Sequence, residues 1–290
     1  MAARQDTRLK RRRLLMVGGA VIGVLAVGGA GAGVLMMNGH SSDQKAPVAS
    51  PSHHPQPTGS SAPAPTQVPT AVSHTVGSIA PRQGSIPLGL GVDAKTGTVA
   101  GYAGQALKLP SGPNSFAMTS TPVVDTSKSF TVSVRVLGDS PSGNRAVVSQ
   151  GAGSFYSFSI GRVLSGGGNH WVFKVQSPGG GSKSVLSKGA AALNQWTVLT
   201  GVYDVSSHQL RLYVNGAQQG ILDVPGIQES TGGLQIGRVR SNSQWVDPWH
   251  GAVTDIQAWD VALSVSDIVR VTAGPTPAPG SPATAAWLTG

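Results

Sequence analysis

The sequence predicts an all-β fold: a two-sheet antiparallel jelly-roll sandwich with one short helix near its C-terminal end. Three observations predict it. Apolar and polar residues alternate in short runs from about residue 106 onward, the period of a half-buried strand. Glycines punctuate those runs at Gly138, Gly143, Gly151, Gly166 to Gly168 and Gly179 to Gly181. The pair Asn215-Gly216 follows an alternating run, and a two-residue hairpin turn of that kind needs positive φ twice.

The elements follow in order. Phe130, Val132, Val134 and Val136 fall on one strand face, with Thr131, Ser133 and Arg135 on the other. Tyr156, Phe158 and Ile160 alternate with serines, and Trp171, Phe173 and Val175 alternate with Val172 and Lys174. The stretch from Trp196 to Tyr203 is apolar on both faces, which predicts a central strand covered on each side. Leu210, Leu212 and Val214 lead into the Asn-Gly turn. Ser264 is a good N-cap for the short helix, and Asp267 at its third position suits the positive end of the helix dipole.

The rest of the chain is of different character. Residues 1–13 are a basic segment with Arg8, Lys10, Arg11, Arg12 and Arg13. Leu14 to Met37 carries no charge over 24 residues. As a helix it would rise ~36 Å, enough to span a ~30 Å hydrocarbon core. The arginines would stay cytoplasmic, leaving the chain outside. The competing reading is a cleaved signal peptide, because Arg11-Arg12-Arg13-Leu14-Leu15 resembles a twin-arginine motif and Ala30-Gly31-Ala32 offers a cleavage site. The apolar run continues past that site through Met37, which favours an uncleaved signal anchor. Residues 38–84, rich in Pro and Ser, are expected as a disordered linker. The folded domain is expected over 85–272, and 273–290 as a Pro-rich tail carrying an apolar patch, Ala286-Trp287-Leu288. The expected location is the plasma membrane, single-pass, with the β domain extracellular.

Composition excludes several chemistries. The absence of cysteine removes disulfides, thiolate metal sites and Cys nucleophiles. Residues 1–45 hold seven Lys/Arg against two Asp, so +5 of the net +9 belongs to the membrane-flanking end. The domain's basic residues are scattered, with no basic stripe, which argues against nucleic acid as a partner. Glu229 is the only glutamate. Glycosidases of sandwich fold work with paired carboxylates, so a non-enzymatic role is expected and a polysaccharide hydrolase is the remote alternative.

Several segments together carry a family resemblance. Ser129-Phe130-Thr131-Val132-Ser133, the run from Trp196 to Asp204, Leu210 to Gly216, Gly233 to Arg238, Gly251 to Ile256 and Ala262-Leu263-Ser264 match in order and gaps. They resemble laminin-G-like, concanavalin A-like lectin/glucanase jelly rolls, in the flavour of exported actinobacterial versions, over roughly residues 100–270. The chain departs from the pattern at Arg135, where the family usually has Trp, and at Thr254-Asp255, where two acids are common. Several such domains bind calcium at the sandwich rim, so the resemblance implies Asp93 and Asp255 as possible calcium ligands. No other cofactor is implied, and calcium wants ~6–8 oxygens. The competing reading has Asp255 bonded to backbone and Asp93 opening a turn.

The best local ligand-binding candidate is the loop around Asn242, Trp245, Asp247, Trp249 and His250. It combines aromatic faces with side chains that can satisfy sugar hydroxyls. Trp249 also reads as a core residue and Trp245 as a loop anchor. His170, beside Trp171, marks a second polar tip. The leading expectation is a non-catalytic extracellular module that binds glycan or cell-wall polysaccharide. The alternative is a protein-binding or structural cell-surface module.

Overall fold

The computed structural model describes residues 74–141, 143–274 and 281–290. The expected basic segment, the transmembrane helix at 14–37 and most of the linker lie outside the described residues. Among the described residues no helix is long and apolar enough to cross a membrane.

Two eight-stranded antiparallel sheets face each other. The first runs β1 (Gly77–Ile79), β2 (Leu88–Leu90), β5 (Ala117–Met118), β14 (Leu234–Ile236), β7 (Arg145–Ala152), β8 (Phe155–Ser165), β9 (Gly168–Gln176) and β10 (Ser182–Ala190). The second runs β13 (Ala217–Asp223), β12 (Gln209–Val214), β11 (Thr197–Asp204), β6 (Phe130–Gly138), β17 (His250–Trp259), β4 (Tyr102–Pro110) and β3 (Lys95–Val99). A last strand, β18 (Ala285–Trp287), also pairs with β17. A small hairpin, β15 (Val239–Ser241) with β16 (Gln244–Val246), stands apart from both sheets. The jelly-roll sandwich expected from the alternation is therefore the fold observed.

The core lies between the sheets, where the two inward rows interdigitate. Phe130 of β6 meets Phe158 of β8 with ring centroids 4.8 Å apart, and Phe158 meets Phe173 edge-on at 6.4 Å. Each such side chain, fully buried, stabilises the fold by about 1.5–3 kcal/mol. The expected face of β6 is wholly interior, since Phe130, Val132, Val134 and Val136 are all inaccessible. Tyr156 departs from the expected face. A register shift between Gln150 and Gly151 inserts an extra residue in β8, so Tyr156 packs with Ala146 and Val239 rather than with Phe158.

A second apolar layer covers part of the outer face of the second sheet. The helix α1 (Val265–Ala273) sets Ile268 and Val271 against Val202 and Tyr213. That cover explains why β11 is apolar on both faces. Ser264 caps the helix by accepting from the Asp267 amide at 3.2 Å, as the sequence implies. Asn215 and Gly216 take φ of 49° and 78°, the tight hairpin turn expected of them.

The ordered fold passes both boundaries read from sequence. At one end, β1 lies inside the segment expected as linker and pairs with β2. At the other, Ala286 and Trp287 of the tail's apolar patch lie in β18, and Trp287 is inaccessible to solvent. Two residues of a patch that reads as isolated thus pair with β17. The partners of β18, Ile256 to Ala258, are contiguous in β17 but give no local sign of needing a strand thirty residues on.

Candidate ligand-binding site

The α1 helix covers only the β11–β12 half of the outer second sheet. The other half is left open as a groove of about 590 Å³ over β3, β4, β17 and β6. The ladder register places its residues in rows. Lys95 pairs with Lys108, Lys108 with Ala252, and Ala252 with Leu137, so these four side chains share the outer face. One step along, His250 pairs with Pro110, and the Asp139 amide donates to the His250 carbonyl. Leu137, Ala252, Val99 and Pro110 form an apolar floor, while Asp93, Asp139, His250, Lys95 and Lys108 supply the polar rim.

His250 reaches this groove because of its neighbour. The Trp249 ring turns inward, 1% exposed, and packs against Trp171 at 6.3 Å between centroids. Alternation then sends His250 outward, where Nδ1 contacts the Asp139 carboxylate. Two glycines permit the turn. A Cβ on Gly138 would stand 3.0 Å from the Trp249 ring, and one on Gly251 would stand 2.0 Å from the Leu137 carbonyl oxygen. Gly251 also holds φ of 132°, which side chains rarely adopt.

The other residues expected at a binding site are dispersed. Trp249 is a core residue, which excludes it as a ligand platform. Trp245 sits on the β15–β16 hairpin over the first sheet, and its ring is engaged by Arg238 Cζ at 4.0 Å and Arg240 Cζ at 4.8 Å. Arg238 lies at the same time 3.4 Å from the Phe116 ring centroid. Burial first, and then the charge of Arg240, lower the Arg238 pKa to about 9, so the guanidinium is still charged at neutral pH. Asn242 and Ser243 are the hairpin's two turn residues, with φ of 48° and 62°, and Asn242 is there for its tolerance of that conformation. Asp247 points to Lys174 Nζ at 3.8 Å, and its carbonyl accepts from the Ala146 amide. Burial lowers the Lys174 pKa, and Asp247 opposes that shift. His170 bonds the Ser187 carbonyl through Nδ1 at 3.0 Å on β9.

The two carboxylates that the resemblance implies for calcium, Asp93 and Asp255, have different surroundings. Asp255 and Ile256 together oppose Val134, a β-bulge in the middle of β17. The bulge turns the Asp255 carboxylate onto Arg135 Nε at 2.7 Å and the Tyr102 hydroxyl at 2.6 Å. Burial, and then the hydrogen bond to Asp255, raise the Tyr102 pKa. Asp93 lines the groove beside two lysines instead. Among the described residues no three His, Asp or Glu side chains gather as a metal cluster. One carboxylate held by arginine and a second one elsewhere in the groove do not make up the several charged oxygens that a hard cation wants.

A family model described as the concanavalin A-like lectin/glucanases superfamily matches residues 110–269, more than half of the chain. The chain belongs to that superfamily. Solved structures of similar fold include the binding domain of botulinum neurotoxin DC in complex with SialylT. It is 13% identical with TM-score 0.51, over 68% of this chain and 51% of that one. Botulinum neurotoxin type C, described as depending on two ganglioside molecules to enter cells, is 14% identical with TM-score 0.50, over 69% and 50%. A heptameric pentraxin from Limulus polyphemus is 20% identical with TM-score 0.48, over 57% and 80%. The chain spans about half the length of the neurotoxin chains it matches. No curated protein matches it. At these identities the likeness is one of fold.

Of the expected site residues, His250 and Asp93 come together. Asp139, Lys95 and Lys108 join them, and no local sequence pattern marks these three. Their meeting depends on strand register, which the local pattern of each strand does not specify.

Proposed function

We propose that this concanavalin A-like domain is a non-catalytic module that binds glycan in the groove of the second sheet. The observation that carries the reading is the groove's make-up. An apolar floor of Leu137, Ala252, Val99 and Pro110 suits the C–H face of a sugar ring, and the rim of Asp93, Asp139, His250 and lysines suits its hydroxyls. The superfamily and the ganglioside dependence of one fold neighbour support the same ligand class. The lone glutamate, Glu229, supports a role without hydrolysis. The charge-free run from Leu14 to Met37 supports tethering at the plasma membrane with this domain outside.

The test is a glycan array and polysaccharide pull-down with the full-length chain. Binding is expected, and a His250→Ala, Asp139→Ala double variant should weaken it at least tenfold. A blank array would sink the reading, and turnover of a bound polysaccharide that Asp139→Asn abolishes would replace it with hydrolysis. Fractionation of cells, with N-terminal sequencing of the mature chain, tests the anchor against a cleaved signal.

One observation favours a second reading. Trp245 with Arg238 and Arg240 forms an aromatic–guanidinium cluster on the opposite side of the sandwich, and tryptophan and arginine are enriched where proteins bind each other. Crosslinking in cells that captures one protein partner, lost on Trp245→Ala and retained in the groove variant, would support it.

A further inference from the structure

The groove carries a charge arrangement that its own fold does not explain. Lys95 of β3 and Lys108 of β4 are directly opposed in the ladder, and both are exposed. Like charges at opposed positions on one face repel, and sheets normally avoid them or interpose an acid. Here no acid answers: among the described residues neither lysine has a carboxylate within 4 Å. The groove does contain two carboxylates. Asp139 is taken by His250, and Asp93 stays beyond ion-pair distance of both lysines. Backbone geometry also makes room for the pair. Gly97, on the same face two residues beyond Lys95, leaves open the place where a Cβ would come within 3.1 Å of Lys108 Nζ. The Lys108 ammonium therefore lies along the sheet surface above a bare stretch of backbone.

We infer that the groove is built for an acidic glycan, with the anionic substituent held between Lys95 and Lys108 while Asp139, His250 and Asp93 take neighbouring hydroxyls. The inference rests on the glycan-binding reading of the same groove and adds the chemical class of its ligand. A carboxylate on the sugar and a phosphate esterified to it would both satisfy the lysine pair. Either would relieve the repulsion between the two ammonium groups, and either makes binding sensitive to salt, because the site is open to solvent.

Calorimetric titration of the full-length chain with polygalacturonate oligosaccharides, phosphomannan and unphosphorylated mannan tests it. One or both acidic ligands are expected to bind at least tenfold more tightly than mannan, and which of them does so tells carboxylate from phosphate. The Lys95→Gln, Lys108→Gln variant should lose that preference. A Lys183→Gln, Lys188→Gln variant removes the same net charge from β10 and should keep it. Both lysine pairs are exposed, so neither variant threatens folding; thermal melts confirm this. Acidic ligands that bind equally well after loss of Lys95 and Lys108 overturn the inference. So does a preference lost equally in the β10 variant, which would mark net charge alone. Mannan bound in the groove without preference for acidic ligands overturns the assignment of ligand class and leaves the groove reading standing. No binding here together with a blank array overturns both.

Discussion

The indole Nε1 of Trp287 donates to the carbonyl of Ile86 at 3.0 Å, joining residues 201 positions apart. Around it the chain's two described ends are stitched together. The Arg82 amide donates to the Ala286 carbonyl at 2.7 Å, and the Ala286 amide donates back to the Gln83 carbonyl at 3.0 Å. Trp287 fills the slot so formed with no exposed surface. Trp287→Ala should destabilise the domain by about 3–5 kcal/mol, the usual cost of emptying a large aromatic site. Urea unfolding measures it. A loss below about 1 kcal/mol would show that the strand only rests on the surface.

The Arg135–Asp255 pair makes a second prediction. Arg135 also donates to the Thr272 carbonyl at 3.3 Å, in the last turn of α1, so one guanidinium links bulge, sheet and helix end. Arg135→Met strands a carboxylate that is 7% exposed, and should cost about 3–5 kcal/mol. Adding Asp255→Asn removes the stranded charge and should recover most of that loss. A double variant as unstable as the single one would locate the cost in lost packing instead.

The two tryptophans of the 241–250 loop should separate cleanly. Trp249→Ala opens a cavity between the sheets beside Trp171 and should cost about 3–5 kcal/mol. Trp245→Ala removes cation–π contacts with Arg238 and Arg240, for a loss of roughly 1–2 kcal/mol. Chemical denaturation of both variants decides it, and equal losses would place Trp245 in the core as well.

Acid sensitivity follows from two matching turns. Asp204 accepts from Ser206 Oγ at 2.6 Å and the Ser206 amide at 3.0 Å, and Asp125 does the same with Ser127. These bonds hold each carboxyl at about 2 against an ordinary 3.8, the hydroxyl contact being the largest cause. A depressed carboxylate pKa contributes stability that is present above 3.8 and lost as pH falls through about 2. Melting temperature should therefore fall between pH 4 and 2, and Asp204→Asn should flatten that fall by less than about 1 kcal/mol, given solvent screening. An unchanged slope in the Asp125→Asn, Asp204→Asn double variant would assign acid sensitivity elsewhere.

What could be read from the chain follows the range of the interactions involved. The β6 face, the Asn215-Gly216 turn, the covered strand β11 and the Ser264 cap are set by neighbours two to four residues apart, and local pattern shows them. The bulge at Asp255, the register shift that redirects Tyr156, and the pairing of β18 with β17 depend on partners across the fold. The site shows the same division. His250 is marked by its residue type within an aromatic, polar loop and Asp93 by the family resemblance, but Lys95, Lys108 and Asp139 meet them only through a register that brings four strands side by side. The aromatic face of Trp245 reads from sequence as a ligand platform, and nothing near it in sequence shows that Arg238 already holds that face.

The stitch at Trp287 also sets a timetable. Gln83 leaves the ribosome some two hundred residues before Ala286, its bridge partner, an interval on the order of ten seconds or more at ordinary rates of synthesis. Until β18 arrives, the edge of β17 beyond its bulge has no strand to pair with, and the slot for the indole stands open. Unpaired edges of this kind invite association with other chains. The domain therefore needs protection during synthesis, and it becomes self-sufficient only when β18 pairs with β17.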